Sequence, residues 1–129
     1  MLTGKVALVT GAAGGLGRVF CRTLARAGAD IAAADLNRGG VEEVAAEIRS
    51  LGRRAVAIEM DVRSPEAVRA GVARAEEALG GIDILVNNAG GSLYTPKALG
   101  DIREEDWDLV LDVNLKGAFL CCQAVVPSM

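Results

Sequence analysis

Four short, almost continuously apolar runs punctuate the chain: VALVT at 6–10, IAAAD at 31–35, AVAIEMD at 55–61 and IDILVN at 82–87. They are too short for helices and lack the polar alternation of a strand with one wet face, so they predict strands buried on both sides. The stretches between them change period. Apolar residues recur every three or four positions as Leu16, Phe20, Leu24 and Ala27, then Val41, Val44, Ala45 and Ile48, then Val68, Val72, Ala75 and Leu79, which predicts three amphipathic helices. Gly28 and Gly52 suit the left-handed position after a helix, and Ser64-Pro65 supplies a side-chain cap followed by proline in the first turn. A fourth helical stretch puts Trp107, Val110, Leu111, Ala118, Cys121, Cys122 and Val125 on one face, with Asn114 at its centre. The order β-α-β-α-β-α-β-α predicts a doubly wound α/β domain, a parallel sheet covered on both faces through right-handed crossovers. No linker, repeat or low-complexity segment interrupts it.

Composition adds limits to this picture. The 129 residues are 51% hydrophobic and 24% charged with net charge −3, enough for one core and without a basic stretch that would attract nucleic acid or an anionic membrane. No apolar run is expected to reach the roughly 20 residues that span a bilayer, and the start, MLTGKVALVTG, lacks the features of a signal peptide. A cytoplasmic protein is expected. The three cysteines, two of them adjacent, read as small buried hydrophobes in a reducing compartment. Histidine is absent, which excludes a Ser-His-Asp triad and a histidine-ligated zinc.

The first strand-to-helix junction, VALVTGAAGGLGR, carries Gly11, Gly14, Gly15 and Gly17. A loop with so little side chain lets backbone N–H groups approach an anion, and the positive end of the following helix favours a pyrophosphate there. The same glycines would also serve tight helix–strand packing. Asp35 closes the second strand about 20 residues further on, where a carboxylate can accept hydrogen bonds from an adenosine ribose. Its charge would repel a 2′-phosphate, favouring NAD over NADP, although Arg18 and Arg38 lie near enough in sequence to soften that repulsion. Asp61 closes the third strand in the equivalent way. At the end of the fourth comes NNAG, Asn87 to Gly90, whose amides either brace a turn or contact a ligand. In a parallel sheet these strand ends share one edge, so Gly11, Asp35, Asp61 and Asn88 are expected to converge. Asn114 is expected to be turned inward. A buried amide without partners costs about 1–3 kcal/mol, so it should bond to backbone, across a kink near Gly117.

Taken together, Thr10-Gly11-x-x-x-Gly15-x-Gly17, Asp35, Asp61-Val62, Asn87-Asn88-Ala89-Gly90 and DVNLKG resemble the N-terminal half of a short-chain dehydrogenase/reductase, in family order over nearly the whole chain. The resemblance implies a Rossmann-type sheet with strand order 3-2-1-4, and residues 1–129 as the N-terminal part of a single NAD(P)-binding domain. It implies a nicotinamide cofactor held by Gly11, Gly15, Leu16, Gly17, Asp35, Leu36, Asp61, Val62, Asn88, Ala89 and Gly90. It also implies hydride transfer between NAD(H) and a carbonyl or alcohol substrate, in a homodimer or homotetramer. Asn114 matches the family's catalytic asparagine, which holds a kinked helix and fixes a water serving the catalytic lysine.

The family's serine and Tyr-x-x-x-Lys match nothing in these residues. Tyr94 is expected in a loop, with Pro96 preventing a regular helix, and Ser92 and Ser128 match no catalytic position. The fourth strand is apolar enough for an interior position yet is expected at an edge, which invites pairing. Two readings follow: an NAD-dependent oxidoreductase seen as a fragment, without turnover by these 129 residues alone, or a non-catalytic dinucleotide-binding or assembly module complete at Met129.

Overall fold

The computed structural model describes residues 1–93 and 97–129; the sequence reading of Tyr94 and Pro96 lies outside them. Among the described residues, strands β1 (Val6–Thr10), β2 (Asp30–Asp35), β3 (Ala55–Glu59) and β4 (Ile84–Val86) alternate with helices α1 (Gly15–Arg26), α2 (Arg38–Ser50) and α3 (Pro65–Leu79). A final helical run comprises α4 (Glu104–Leu111), a π-turn at Asp112–Lys116 and α5 (Gly117–Val125), and it is preceded by a 3₁₀ turn at Leu99–Asp101. The strands form one parallel sheet in the order β3-β2-β1-β4, the doubly wound α/β architecture expected. β1 is central, pairing Val6 with Asp30 on one side and Ala7 with Ile84 on the other.

Period-two alternation divides the core. Val6, Leu8, Ala32 and Ala34 pack toward α3 and α5, while Ala7, Val9, Ile31 and Ala33 pack toward α1 and α2, so both faces of β1 and β2 are buried. At the opposite edge from the candidate site, buried Asp30 pairs with Arg53 at 2.7 Å and Arg54 at 2.8 Å. Burial pushes its carboxyl up, but the Arg54 hydrogen bonds and the two guanidinium charges outweigh it and hold the group below the usual carboxylate range. The capping expectations hold as well: Gly28 and Gly52 have φ of 106° and 81°, and the Ser64 side chain accepts from Ala67 N at 3.1 Å.

Helices α2 and α3 bury the expected faces; the other two do not. In α1 the inward residues are Gly17, Cys21 and Ala25, whereas Leu16 is 67% exposed and Phe20 is exposed too. The helix docks through its smallest residues because Gly17 abuts the backbone of Gly11 and Ala12, and that contact rotates the larger side chains outward. In the last run the π-turn accommodates an extra residue, so a 3.6-residue period read through it loses phase. Gly117, Leu120, Cys121 and Val125 face the core, while Trp107 is 61% exposed and Leu111 and Cys122 are exposed. Adjacent helix residues point about 100° apart, so Cys121 and Cys122 could not both be buried hydrophobes. The run Glu104–Ser128 is also long and apolar enough, by length and composition, to cross a membrane. That corrects the sequence expectation, which counted only uninterrupted apolar residues; here Leu120, Cys121 and Val125 pack into the core. β4 is an edge strand with half-buried Ile84, Leu85 and Val86, as expected.

Candidate functional site

A cleft of about 670 Å³ opens at the C-terminal edge of the sheet. Its floor is the loop between β1 and α1. Gly11 has φ of 63°, and a Cβ there would lie 2.9 Å from Ala89 Cα. A Cβ on Gly17 would overlap the Gly11 carbonyl oxygen and lie 2.8 Å from Ala12 Cα, whereas one on Gly15 would meet nothing within 4 Å. The glycines therefore divide their work: Gly11 and Gly17 permit close packing, and Gly15 leaves open space. α1 begins after Gly14 with no side-chain cap, so the N–H groups of Gly15, Leu16 and Gly17 lack both intrahelical and capping partners and suit an anion.

The acidic wall comes from the ends of β2 and β3. Half-buried Asp35 accepts from Ala13 N at 3.1 Å and Asn37 N at 2.9 Å, which fixes the carboxylate against the glycine loop and leaves lone pairs for further donors. Met60 N donates to the Asp35 carbonyl at 3.0 Å, so Asp61 is the next residue along the wall. Arg63 approaches Asp61 with its side chain, Nη2 to Oδ2 at 2.7 Å and Nε to Oδ1 at 3.0 Å, and with its backbone N–H at 2.9 Å. The hydrogen bonds from this guanidinium hold the Asp61 carboxyl below the usual carboxylate range, against partial burial.

The opposite wall is braced by amides. Asn88 Nδ2 donates to the carbonyls of Thr10 and Gly11, both at 3.1 Å. The Thr10 hydroxyl, buried at the end of β1, accepts from the N–H groups of Asn88 and Ala89 at 3.1 and 3.0 Å. Asn88 thus braces the turn, and Asn87 to Gly90 line the cleft as well. Asn114 accepts from Gly91 N at 2.8 Å and donates to the carbonyls of Gly91 and Val110 at 2.9 Å each. It has the backbone partners expected of it, and the distortion just before Gly117 is the π-turn. It is exposed rather than buried, however, because that turn carries it out of the core-facing stripe toward the cleft.

The cleft brings together every residue anticipated for the site: Gly11, Gly15, Leu16, Gly17, Asp35, Leu36, Asp61, Val62, Asn88, Ala89, Gly90 and Asn114 all line it. Met60 and Val113 also line it and went unnoticed, since an apolar residue ending a buried strand or inside a helix carries no sequence signal. Leu93 lines it too and has φ of 61°, an uncommon conformation for a branched residue and one that clusters at functional sites.

Comparison with known proteins agrees with this geometry. The oxidoreductase UcpA of Salmonella typhimurium is 44% identical over 132 residues, covering 99% of this chain and 48% of the relative. A crystal structure from Sinorhizobium meliloti assigned to the short-chain alcohol dehydrogenases superposes with a TM-score of 0.92 at 45% identity, over 98% of this chain and 50% of that one. The Brucella melitensis 3-ketoacyl-(acyl-carrier-protein) reductase, solved in complex with NADH, gives a TM-score of 0.92 at 35% identity, over 99% and 51%. The chain thus spans about half the length of the curated relatives it matches. The sequence pattern of the short chain dehydrogenase family matches residues 5–129, and with the sheet order and cleft described above it places the chain in that family.

Proposed function

We propose that residues 1–129 are the N-terminal part of a single dinucleotide-binding domain in an oxidoreductase that passes a hydride between NAD(H) and a small carbonyl or alcohol substrate, within a homo-oligomer. The observation that carries this reading is the convergence on one cleft of an uncapped, glycine-lined helix start, Asp35 and Asn114. A nicotinamide, when bound, supplies or accepts the hydride at its C4. The first-turn N–H groups of α1 hold the pyrophosphate, and the free lone pairs of Asp35 accept from the adenosine ribose hydroxyls. Asp35 also disfavours a 2′-phosphate. Of the two arginines that could offset it, Arg18 is paired with Glu43 at 3.0 Å and Arg38 lines a separate groove against α3, which supports NAD over NADP.

Asn114 stands at the position of the family's catalytic asparagine. Both of its amide hydrogens are committed to carbonyls, so its side chain acts by holding the π-turn and the Gly90–Gly91 backbone in place. A Tyr-x-x-x-Lys pair matching the family's is not found in these residues, and the 129-residue chain alone is expected to bind cofactor without turnover.

Fluorescence titration tests the proposal. Wild-type protein should bind NADH more tightly than NADPH, and Asp35→Ala should weaken NADH binding and narrow that preference. An unchanged preference removes Asp35 from the cofactor site; failure of the folded chain to bind NADH overturns the reading.

A further inference from the structure

The segment leaving β4 is fastened to the final helical run at two places. The first is Asn114, which accepts from the Gly91 N–H at 2.8 Å and donates to the Gly91 carbonyl at 2.9 Å. The second is Asp106, two turns earlier and so about 12 Å back along the helix axis. Its Oδ2 accepts from Lys97 Nζ at 2.9 Å and from the Arg103 N–H at 3.2 Å, and its Oδ1 accepts from Arg103 Nη2 at 3.0 Å. The bond to the Arg103 N–H caps α4. The bond from Lys97 adds nothing to the cap and instead ties a residue outside the helix to its first turn. The Asp106 side chain is 9% exposed and that of Lys97 33%, so the pair escapes much of the screening that weakens surface ion pairs.

Between the two fastenings in sequence stands Leu93, which lines the cleft with φ of 61°. A branched side chain rarely takes that conformation, and it persists only where the surroundings over-determine it. Asn114 fixes the chain on the Gly91 side of Leu93, and Asp106 fixes it on the Lys97 side. The sheet order decides which part of a ligand this wall meets. β2 lies on one side of β1 and β4 on the other, so with a ribose at Asp35 and a pyrophosphate at the start of α1, the chain beyond β4 meets the half of the dinucleotide that carries the nicotinamide. We propose that Lys97 and Asp106 are positioning residues for that half: by tying the chain beyond Leu93 to the start of α4, the pair holds Leu93 in its left-handed conformation in the cleft wall. This rests on the reading of the cleft as a dinucleotide site. Without the tie, the backbone at Leu93 can relax to ordinary dihedrals and its side chain leaves the wall, while Gly15 and Asp35, on other elements, keep their places.

The test compares NADH with ADP-ribose, which lacks the nicotinamide, by calorimetric titration of the 129-residue chain. Lys97→Met removes the tie and leaves the Arg103 cap intact; it should weaken NADH about fivefold, the scale of one net hydrogen bond, and change ADP-ribose by less than about twofold. Lys97→Arg, which keeps a charged donor for Asp106, should retain the wild-type ratio of the two affinities. Adding Lys97→Met to Asp106→Ala should change that ratio no further, because both residues act through one contact. A purely structural role for the pair would lower the melting temperature and leave the ratio alone, so thermal melts of each variant accompany the titrations; if Asp106→Ala does not fold, the Lys97→Met and Lys97→Arg comparison carries the test. A wild-type ratio in folded Lys97→Met, the same loss in Lys97→Arg, or a Lys97 effect that persists in Asp106→Ala overturns this inference alone. Absence of NADH binding by folded wild-type protein overturns the dinucleotide reading with it.

Discussion

Gly15 and Gly17 lie two residues apart in one motif, yet the structure predicts opposite consequences for replacing them with alanine. Either change lowers the entropy of the unfolded chain, worth about 0.4–1 kcal/mol to the folded state, and the two share that gain. At Gly17 the new Cβ would overlap the Gly11 carbonyl and lie 2.8 Å from Ala12 Cα. Both obstacles are backbone and cannot rotate aside, so the cost should reach the upper end of overpacking, about 3 kcal/mol. For a domain of this size that corresponds to a fall in Tm of about 10 °C. At Gly15 the Cβ meets nothing within 4 Å, and alanine is a better helix former by up to about 1 kcal/mol, so Tm should hold or rise. The added methyl enters space reserved for the anion, however, and the loss of one charge-assisted hydrogen bond would weaken NADH binding about tenfold. Thermal melts followed by circular dichroism, with NADH titration at a temperature where both variants are folded, decide the matter. Equal destabilisation by the two changes would refute the division of labour, as would wild-type NADH affinity in Gly15→Ala.

Two further outcomes follow from buried and paired groups. Burial pushes the Cys21 thiol up to about 12 and the Cys121 thiol up to about 11, whereas Cys122 is exposed. A thiol reagent at neutral pH should therefore modify one cysteine in the native protein and all three after denaturation, with the fast phase lost in Cys122→Ser; more than one fast thiol would contradict the packing of α1 and α5. Asp106 is buried at the start of α4 and is held well below the usual carboxylate range by hydrogen bonds from Arg103 and then Lys97. Because its folded pKa is depressed, the stability it contributes is present above the ordinary aspartate value of about 4 and is lost as pH falls through the lower folded value. The Tm difference between wild type and Asp106→Ala should be largest near neutral pH and shrink in acid; a difference that grows in acid would show the carboxylate to be destabilising.

Strand and helix order, the caps at Gly28, Gly52 and Ser64, and the inward faces of α2 and α3 were legible because each depends on local periodicity or on one residue's backbone preference. The candidate site was legible for a related reason. In a parallel sheet every strand end reaches the same edge, so residues marked by type at those ends, Gly11, Asp35, Asp61 and Asn88, had to meet once the alternation was read. What periodicity could not supply was phase. The docking of Gly17 on Gly11 rotates α1 by one residue, and the π-turn shifts the face of the final helix, so Phe20, Trp107 and Cys122 point outward against the pattern.

The chain's sequence by itself determined the architecture, a doubly wound sheet with an anion-ready first junction, since hydrophobic period and glycine placement are local properties. Only the tertiary structure decided how the polar side chains are used: that Asn88 and Asn114 bind backbone, that Arg18 turns to Glu43, and that Arg63 grips Asp61. Hydrogen-bond partnership depends on distances between groups brought together by folding, and a linear pattern of residue types does not contain those distances.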